Sequence, residues 1–457
     1  MVRRRLWALL LFALQLPGGR ALGVTGSEET DLGRRFALAA RTQLPLVQHV
    51  DVDAYVARIG QRIVGALGDQ PFTYQFAVVR DPGVNAFAVP GGYVYVHAGL
   101  LARAGSDDEV AGVLGHEIAH VNGHHLVRQQ AATKVLNYAA LLGLLLSAVQ
   151  PAIGAGALAA NAATQLAYRR EFEQEADYLG ARYMRGAGYD PRGMLDFFKK
   201  MMDEQRLGPQ SPPPYLLSHP LTDLRLTNLE AVLHTQQWDR GPRRPTSLDL
   251  ERVQVLVRVY SEPAQDVLLR YQRRATAQAA DGRSRYLLGL AYFETGDAES
   301  ARASFVAAQQ LGFSDLDRDL GRALVRLGET DTARVLLSRA AEQTPDDALA
   351  HFELGRLGER QGDFGMAMRE YERAVTAAPA FADAHYAYGL LAGRTGREGA
   401  GFYHLGVAAT LQGEYARALG QFEKALQLLP AGSEQGQAAH AAAEEVAGFL
   451  KQPAPRR

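Results

Sequence analysis

The spacing of apolar and polar residues divides the chain into a mixed N-terminal part and a helical C-terminal part. Residues 51–67 place apolar side chains at helical spacing and predict an amphipathic helix. Residues 74–81 predict a strand, and residues 85–101 predict two short strands around a Pro-Gly-Gly turn. A helix and short strands, followed by further helical segments, indicate an α+β domain in the first half of the chain.

Residues 250–450 repeat with a period of about 34 residues, which is typical of helix-turn-helix repeats. The pattern resembles the tetratricopeptide repeat and predicts an all-α superhelix with a concave face. Equivalent glycines are 32, 34 and 34 residues apart; they are Gly289, Gly321, Gly355 and Gly389. Gly406 follows after only 17 residues, which predicts an extra helix or a substituted second helix there.

The chain is predicted to have four segments. Residues 1–23 combine a basic start, an apolar run and small residues, as signal peptides do, and an uncleaved anchor is the alternative. Residues 24–236 form the first domain, residues 237–249 form a linker rich in proline and arginine, and residues 250–450 form the repeat domain. A signal peptide indicates export, and we expect the protein in the periplasm.

Composition narrows the classes of function. The net charge of −1 implies no strong field for nucleic acid, and the absence of cysteine excludes disulfides, thiolate metal sites and a cysteine nucleophile. Residues 135–168 carry no charged side chain, but proline and glycine interrupt the apolar run before it reaches the length of a membrane span. This segment is expected to be a buried helix pair or, alternatively, a hairpin that covers substrate or makes peripheral membrane contact.

The stretch HEIAHVNGHH, residues 116–125, carries the candidate chemistry. It follows a capping box at Ser106 that predicts a helix from about residue 107. On that helix, His116 and His120 share a face and can bind one zinc ion, while Glu117 points at a water molecule. A third ligand from the same straight helix would lie too far along the axis, so His124 is not expected to bind the same ion.

Gly123 raises an alternative, because metzincins place a glycine there and a third histidine three residues later. That position is Leu126 in this chain, so the metzincin pattern fails by one residue. We therefore expect His124 and His125 to be exposed, or to lie close to the ligands without binding the metal.

A downstream segment, residues 169–190, offers further carboxylates. Glu173 and Asp177 share a helical face, and Glu175 points elsewhere. One carboxylate can bind the metal while a second orients a ligand histidine. Taken alone, the segment is better explained as a solvated acidic helix, but its pairing with the HEIAH motif favours a metal site.

The motifs HEIAH, EQEAD, GYDPRGM, NAFAVPGGYVYVHAGLL and SHPLTDLR together resemble the M48 zinc metallopeptidases of the Ste24, HtpX and Oma1 type. With the predicted signal peptide and repeats, the chain is similar to BepA-type periplasmic peptidases. The resemblance implies a mainly helical, zincin-like α+β domain with a small sheet. It also implies one zinc ion per chain on His116, His120 and Glu173, with Glu117 as general base and Asp177 beside the ligands.

Three further features are candidates for parts of the site. His219 is either a loop histidine bonded to the backbone or a gate on the metal, and Arg225 either stabilises an oxyanion or pairs with an acidic residue. A short strand could pair with an extended substrate by strand addition. Its residues are Ala86, Phe87, Ala88 and Val89.

Two functions remain open on the sequence. The first is a zinc endopeptidase of the cell envelope that cleaves misfolded or stalled envelope and outer-membrane proteins, with the repeats docking substrates or assembly machinery. The second is a repeat-based periplasmic chaperone or scaffold whose zinc domain is largely latent.

Overall fold

The computed structural model describes residues 26–133, 170–207 and 213–451. The predicted signal peptide and the uncharged segment 135–168 lie outside these residues, so export and membrane contact stay predictions. Within the described parts of the chain, no helix combines the length and the apolar character that crossing a bilayer requires.

The first part of the fold is mainly helical, with one small sheet, as the sequence predicts. The strand order is β1-β3-β2, with β1 parallel and β2 antiparallel to β3. In chain order the elements are α1 (Gly26–Gln43), α2 (Val50–Val64), β1 (Gln75–Val79), β2 (Ala86–Val89), β3 (Tyr93–His97), α3 (Ala98–Arg103), α4 (Asp107–Asn122), α5 (His125–Thr133), α6 (Arg170–Gly186), α7 (Arg192–Leu207), α8 (Pro214–Ser218) and α9 (Asp223–Thr235).

Helix α4 lies at the centre of this part and is buried on every side from Asp108 to Val121. The Ser106 hydroxyl accepts a hydrogen bond from the Glu109 main-chain N–H, as the capping box predicts. In a full capping box the Glu109 carboxylate would accept from the main-chain N–H of Ser106. Here it accepts from the N–H of Gly105, one residue earlier, and it pairs with Lys200. The cap therefore fixes the start of α4 and ties it to α7.

Small residues let α6 approach α4 closely. A Cβ atom on Gly115 would lie 3.1 Å from the Gly180 carbonyl oxygen, and one on Gly180 would lie 2.9 Å from the His116 nitrogen. Larger side chains at these positions would separate the helices. This close packing brings the acidic first half of α6 against the histidine face of α4.

The second part consists of paired helices, which confirms the predicted all-α repeats. The repeat glycines accommodate large side chains from the partner helix: an added Cβ on Gly355 would lie 2.5 Å from the Tyr371 ring. The helices are α10 (Leu248–Ser261), α11 (Ala264–Ala277), α12 (Gly282–Glu294), α13 (Ala298–Gln310), α14 (Asp317–Leu327), α15 (Thr330–Gln343), α16 (Ala348–Gln361), α17 (Phe364–Ala377), α18 (Ala382–Arg394), α19 (Glu398–Leu411), α20 (Tyr415–Leu428) and α21 (Glu434–Leu450).

Helix α19 explains the glycine that breaks the period. A Cβ on Gly389 of α18 would meet Leu405 of α19, so α19 is the second helix of that pair. A Cβ on Gly406 would lie 2.5 Å from the Phe422 ring of α20. Helix α19 therefore also packs against α20 through a glycine, as the first helix of a repeat packs against the second. Of the two sequence alternatives, the substituted second helix is the one observed.

The repeats pack against the first part at several points. Arg318 of α14 pairs with Asp51 of α2 at 2.7 Å, and the Tyr415 hydroxyl donates to the Leu38 carbonyl of α1 at 2.6 Å. Helix α10 also contributes to the core of the first part, through Leu250, Val253, Leu256 and Val257. The domain division at residues 237–249 stays a prediction, because the helix that follows it belongs to both cores.

Candidate metal centre

Four buried side chains bring ligand atoms together at one point. Each of His116, His120, Glu173 and His219 offers one atom, and these four atoms lie within 4.8 Å of one another. The Nε2 atoms of His116 and His120 are 3.0 Å apart, and Glu173 carboxylate oxygens lie 3.5 and 3.3 Å from them. The structure therefore brings together the three ligands named from sequence with His219, which the sequence offered as a gate on the metal.

The imidazole of His219 lies among these groups, and the described contacts of its ring nitrogens are with side chains rather than with the backbone of its own loop. Its main-chain N–H caps the C-terminal end of α8 by donating to the Tyr215 carbonyl, and its ring stacks on the Tyr215 ring at 4.8 Å. Its Nδ1 lies 3.0 Å from Glu173 Oε1, and its Nε2 lies 3.4 Å from Glu117 Oε1. The imidazole thus contacts both the acidic ligand and the candidate base.

The outer nitrogen of His116 contacts Asp177, whose carboxylate lies 3.0 Å from Nδ1. Burial opposes protonation of His116, but the Asp177 and Glu173 carboxylates raise the pKa of its imidazole to about 9. Burial likewise disfavours charge on Asp177, but Arg225 and His116 hold the pKa of its carboxyl below the ordinary value. The carboxylates therefore stabilise positive charge at this point, which a cation site requires.

Arg225 of α9 holds both carboxylates in place. It donates to the two oxygens of Asp177 at 2.8 and 2.7 Å, and it pairs with Glu173 at 2.6 Å. A fourth contact is a hydrogen bond to the Pro220 carbonyl beside His219. Of the two roles considered from sequence, this geometry corresponds to the ion pair.

Glu117 is fully buried and faces the edge of the sheet. Burial raises the pKa of its carboxyl, and His219, His116 and the main-chain N–H of Ala88 act in the opposite direction. Strand β2 carries Ala88 and pairs with β3 on one side, so it ends the sheet within the described residues. The predicted substrate strand, Ala86 to Val89, thus lies beside the candidate base.

The last two histidines of the motif behave differently. His124 leaves 44% of its side chain exposed and contacts Glu29 of α1 at 2.9 Å. His125 is completely buried, and its Nδ1 lies 2.9 Å from Nδ1 of His120. Of the alternatives given from sequence, His124 is therefore exposed and His125 lies beside a proposed ligand. The specific contact with His120 could not be predicted, because it depends on how the chain turns after α4.

The donor set fits zinc. Zinc accepts imidazole nitrogen and carboxylate oxygen in tetrahedral sites, and a catalytic site keeps one position for water. The cluster supplies imidazole nitrogens and a carboxylate oxygen in a buried environment that favours positive charge.

Three family models match the chain. Peptidase family M48 matches residues 51–233, and tetratricopeptide repeat models match residues 282–311 and 318–380. The first match contains all the clustered side chains, and the other two fall on helices α12–α13 and α14–α17.

Curated relatives are similar to part of the chain. The beta-barrel assembly-enhancing protease of Escherichia coli is 30% identical over 220 residues, which are 46% of this chain and 45% of that protein. A Vibrio cholerae relative, provisionally given the same name, is 37% identical over 213 residues, covering 45% of this chain and 44% of its own. The match spans less than half the length of either relative.

Among solved structures, YrrB, titled a TPR protein with an unusual peptide-binding site, is 19% identical to this chain. The comparison covers 50% of this chain and 99% of that one, with a TM-score of 0.29. The family models and curated relatives show what the chain contains: an M48 metallopeptidase domain followed by C-terminal tetratricopeptide repeats.

Proposed function

We propose that this protein is a zinc-dependent endopeptidase of the cell envelope that cleaves misfolded or stalled envelope and outer-membrane proteins. The convergence of His116, His120 and Glu173 beside the buried Glu117 carries this proposal. The names of the relatives, which refer to assembly of β-barrels, support the substrate class. The predicted signal peptide supports a periplasmic location.

In this proposal, His116, His120 and Glu173 hold one zinc ion per chain. When bound, zinc would activate a water molecule and polarise the scissile carbonyl. Asp177 orients His116 through the contact with Nδ1, and Arg225 fixes Asp177 and Glu173 in turn. These outer contacts keep the ligands in one geometry.

Glu117 is the general base. It takes a proton from the attacking water and delivers it to the leaving amine. Its carboxylate lies beside Ala88 of β2, so a substrate that pairs with β2 as an added strand would place its backbone next to the base. Main-chain pairing requires little sequence preference, which suits a protease for unfolded chains.

The repeats serve as the docking surface for substrates or for envelope assembly machinery. A superhelix of paired helices offers an extended binding face. These roles follow from the architecture and from the names of the relatives.

A second candidate function is a periplasmic chaperone or scaffold whose zinc domain is largely latent. The position of His219 favours it, because the imidazole lies among the ligand atoms and would compete with water for the metal. Under this hypothesis His219 is a gate, and the repeats carry out the main activity.

The Glu117→Gln variant tests the first function. It should retain zinc and fold normally, but proteolysis of an unfolded protein should fall by several orders of magnitude, because the variant lacks the proposed base. Wild-type protein stripped of zinc with a chelator and then reloaded is the control. Cleavage by Glu117→Gln near the wild-type rate would remove Glu117 from this role.

The His219→Ala variant separates the gate from an assisting role. Removal of a gate should raise basal proteolysis without changing the zinc content. Removal of a group that assists the reaction should lower proteolysis instead. Unchanged activity of the folded variant would contradict both roles.

A further inference from the structure

We propose that His125 is a positioning residue that fixes the ring of His120 through a hydrogen bond and is itself held by Glu175. This inference rests on the proposed function, because it takes His120 as a zinc ligand. It assigns a role to a histidine that does not belong to the ligand set.

The turn after α4 explains how His125 reaches His120. Helix α4 ends at Asn122, and α5 begins at His125 only three residues later. His124 adopts a left-handed conformation, with φ of 51°, which few residues other than glycine accept. This turn reverses the chain and directs the His125 ring back toward the end of α4.

Gly123 makes room for that ring. A Cβ atom at this position would lie 2.4 Å from Nε2 and 2.8 Å from Cδ2 of His125. Both atoms belong to a buried ring that cannot move aside easily. A glycine at this place therefore allows the histidine to pack under His120, instead of supplying the turn that metzincins need for a third ligand.

The His125 ring is held on several sides. Its Nδ1 lies 2.9 Å from His120 Nδ1, and its Nε2 lies 3.3 Å from Glu175 Oε2. Its face stacks on Phe172 at 4.7 Å with an interplanar angle of 13°. Glu175 pairs in turn with Arg128, at 3.1 Å.

The proton positions follow from the chemistry of a ligand histidine. His120 directs Nε2 toward the other ligand atoms, so Nε2 would bind the metal and Nδ1 would carry the hydrogen. His125 Nδ1 then accepts this hydrogen, which leaves the His125 hydrogen on Nε2, directed at Glu175. His120 therefore donates to His125, whose Nε2 lies in contact with the Glu175 carboxylate.

The two proposed histidine ligands thus have different outer partners. His116 contacts a carboxylate, Asp177, whereas His120 contacts an imidazole. Removal of an outer partner of this kind commonly weakens metal binding by about 1–2 orders of magnitude. We expect the same of His125.

Two substitutions of His125 separate the hydrogen bond from packing. Leucine fills a similar volume but offers no acceptor, whereas asparagine can place its side-chain oxygen close to the position of Nδ1. His124→Asn is the matched control, because asparagine accepts the left-handed conformation and His124 contacts Glu29 and not the ligands. All measurements use the full chain.

The measured quantity is the zinc affinity in competition with a chromophoric chelator, together with thermal unfolding of the metal-free protein. His125→Leu should bind zinc roughly 10- to 100-fold more weakly. His125→Asn should stay within a few-fold of wild type, and His124→Asn should be unchanged. Equal weakening by leucine and asparagine would show a packing role and overturn the proposal.

Two further variants keep the outcomes distinct. If His125→Leu fails to fold, Glu175→Gln should still weaken zinc binding by a few-fold, and unchanged affinity there would overturn the proposal. His116→Ala tests the proposed function itself. Zinc retained by that variant would contradict the ligand set, whereas zinc lost there but bound normally by His125→Leu would contradict only the inference on His125.

Discussion

Buried histidines occur in two regions of this protein, and their surroundings differ. In the peptidase domain, His116, His120 and His219 direct ring nitrogens to one point beside a carboxylate. In the repeats, His351, His385 and His404 are also buried, but their ring nitrogens make contacts in pairs and do not converge on one point. Burial of histidine alone therefore does not indicate a metal site.

The repeat histidines connect the helices of a pair. His351 of α16 contacts the Pro345 carbonyl through Nε2, at 2.9 Å, and Glu370 of α17 through Nδ1, at 2.6 Å. One period later, His385 contacts the Pro379 carbonyl in the same way, at 3.1 Å. The second partner there is His404 of α19, whose Nδ1 lies 2.9 Å from Nδ1 of His385.

This difference shows what makes a histidine cluster suitable for a metal. In the peptidase domain the inner nitrogens converge, and outer contacts to Asp177 and His125 hold the rings. In the repeats each ring nitrogen with a contact already serves helix packing, and within the described residues three or more ligand groups converge only around His116. The first arrangement suits a cation, and the second stabilises a helix pair.

The largest effect on stability should come from Arg225, because the charges of the metal centre depend on it. Arg225→Leu leaves the Glu173 and Asp177 carboxylates buried without their guanidinium partner. The free energy of unfolding of the metal-free protein should fall by about 3–5 kcal/mol, measured by urea denaturation.

The control for Arg225 is Arg339 of the repeats, which pairs with Asp317 but leaves 48% of its side chain exposed. Arg339→Leu should cost about 1 kcal/mol or less. Equal losses in the two variants would show that the peptidase cluster is no more dependent on its ion pair than a surface site is.

A smaller effect on stability should appear when the His385–His404 pair is changed to resemble the His351–Glu370 pair of the preceding repeat. Burial lowers the pKa of His385 to about 4 and, with His385 nearby, that of His404 to about 3. Glu370 instead raises the pKa of His351. The His385–His404 pair thus stabilises the fold in its neutral form, whereas His351 does so when protonated.

The sign of the pH dependence follows. Below about pH 6.5 the unfolded histidines take up protons, but His385 does not until about pH 4, so stability falls across this window. From pH 7 to pH 5 the loss from His385 should be about 2 kcal/mol. His404→Glu should give His385 a carboxylate partner like that of His351, and the loss on acidification should shrink.

The measurement is the change in melting temperature between pH 7 and pH 5, for wild type and His404→Glu. His440→Glu, at an exposed position of α21, is the control. Its melting temperature should fall between pH 7 and pH 5 by as much as that of wild type. If His404→Glu loses as much stability on acidification as wild type does, the account of the His385–His404 pair is contradicted.

Local features of the fold and site could be predicted from the sequence. The start of α4 depends on Ser106 and its neighbours, and the shared faces of His116 with His120 and of Glu173 with Asp177 follow from helix geometry. These inferences need only residues within one or two turns of each other. They succeed because neighbours along a helix keep their spacing in any tertiary structure.

Long-range contacts could not be predicted in this way. The approach of His219 to Glu173 depends on how α8 and α9 pack, and the contact of His125 with His120 depends on a left-handed residue that is not glycine. The His385–His404 contact joins two helices at a place where the repeat period breaks. In each case, the partner is set by tertiary packing and not by spacing in the sequence.

The zinc content of single variants tests the central distinction between the two regions most directly. Wild type should hold about one zinc ion per chain, as expected for one tetrahedral site. His116→Ala, His120→Ala and Glu173→Ala should each lose it, whereas His385→Ala and His404→Ala should keep it. Full zinc retention by Glu173→Ala, or loss of zinc from either repeat variant while the protein stays folded, would contradict the account.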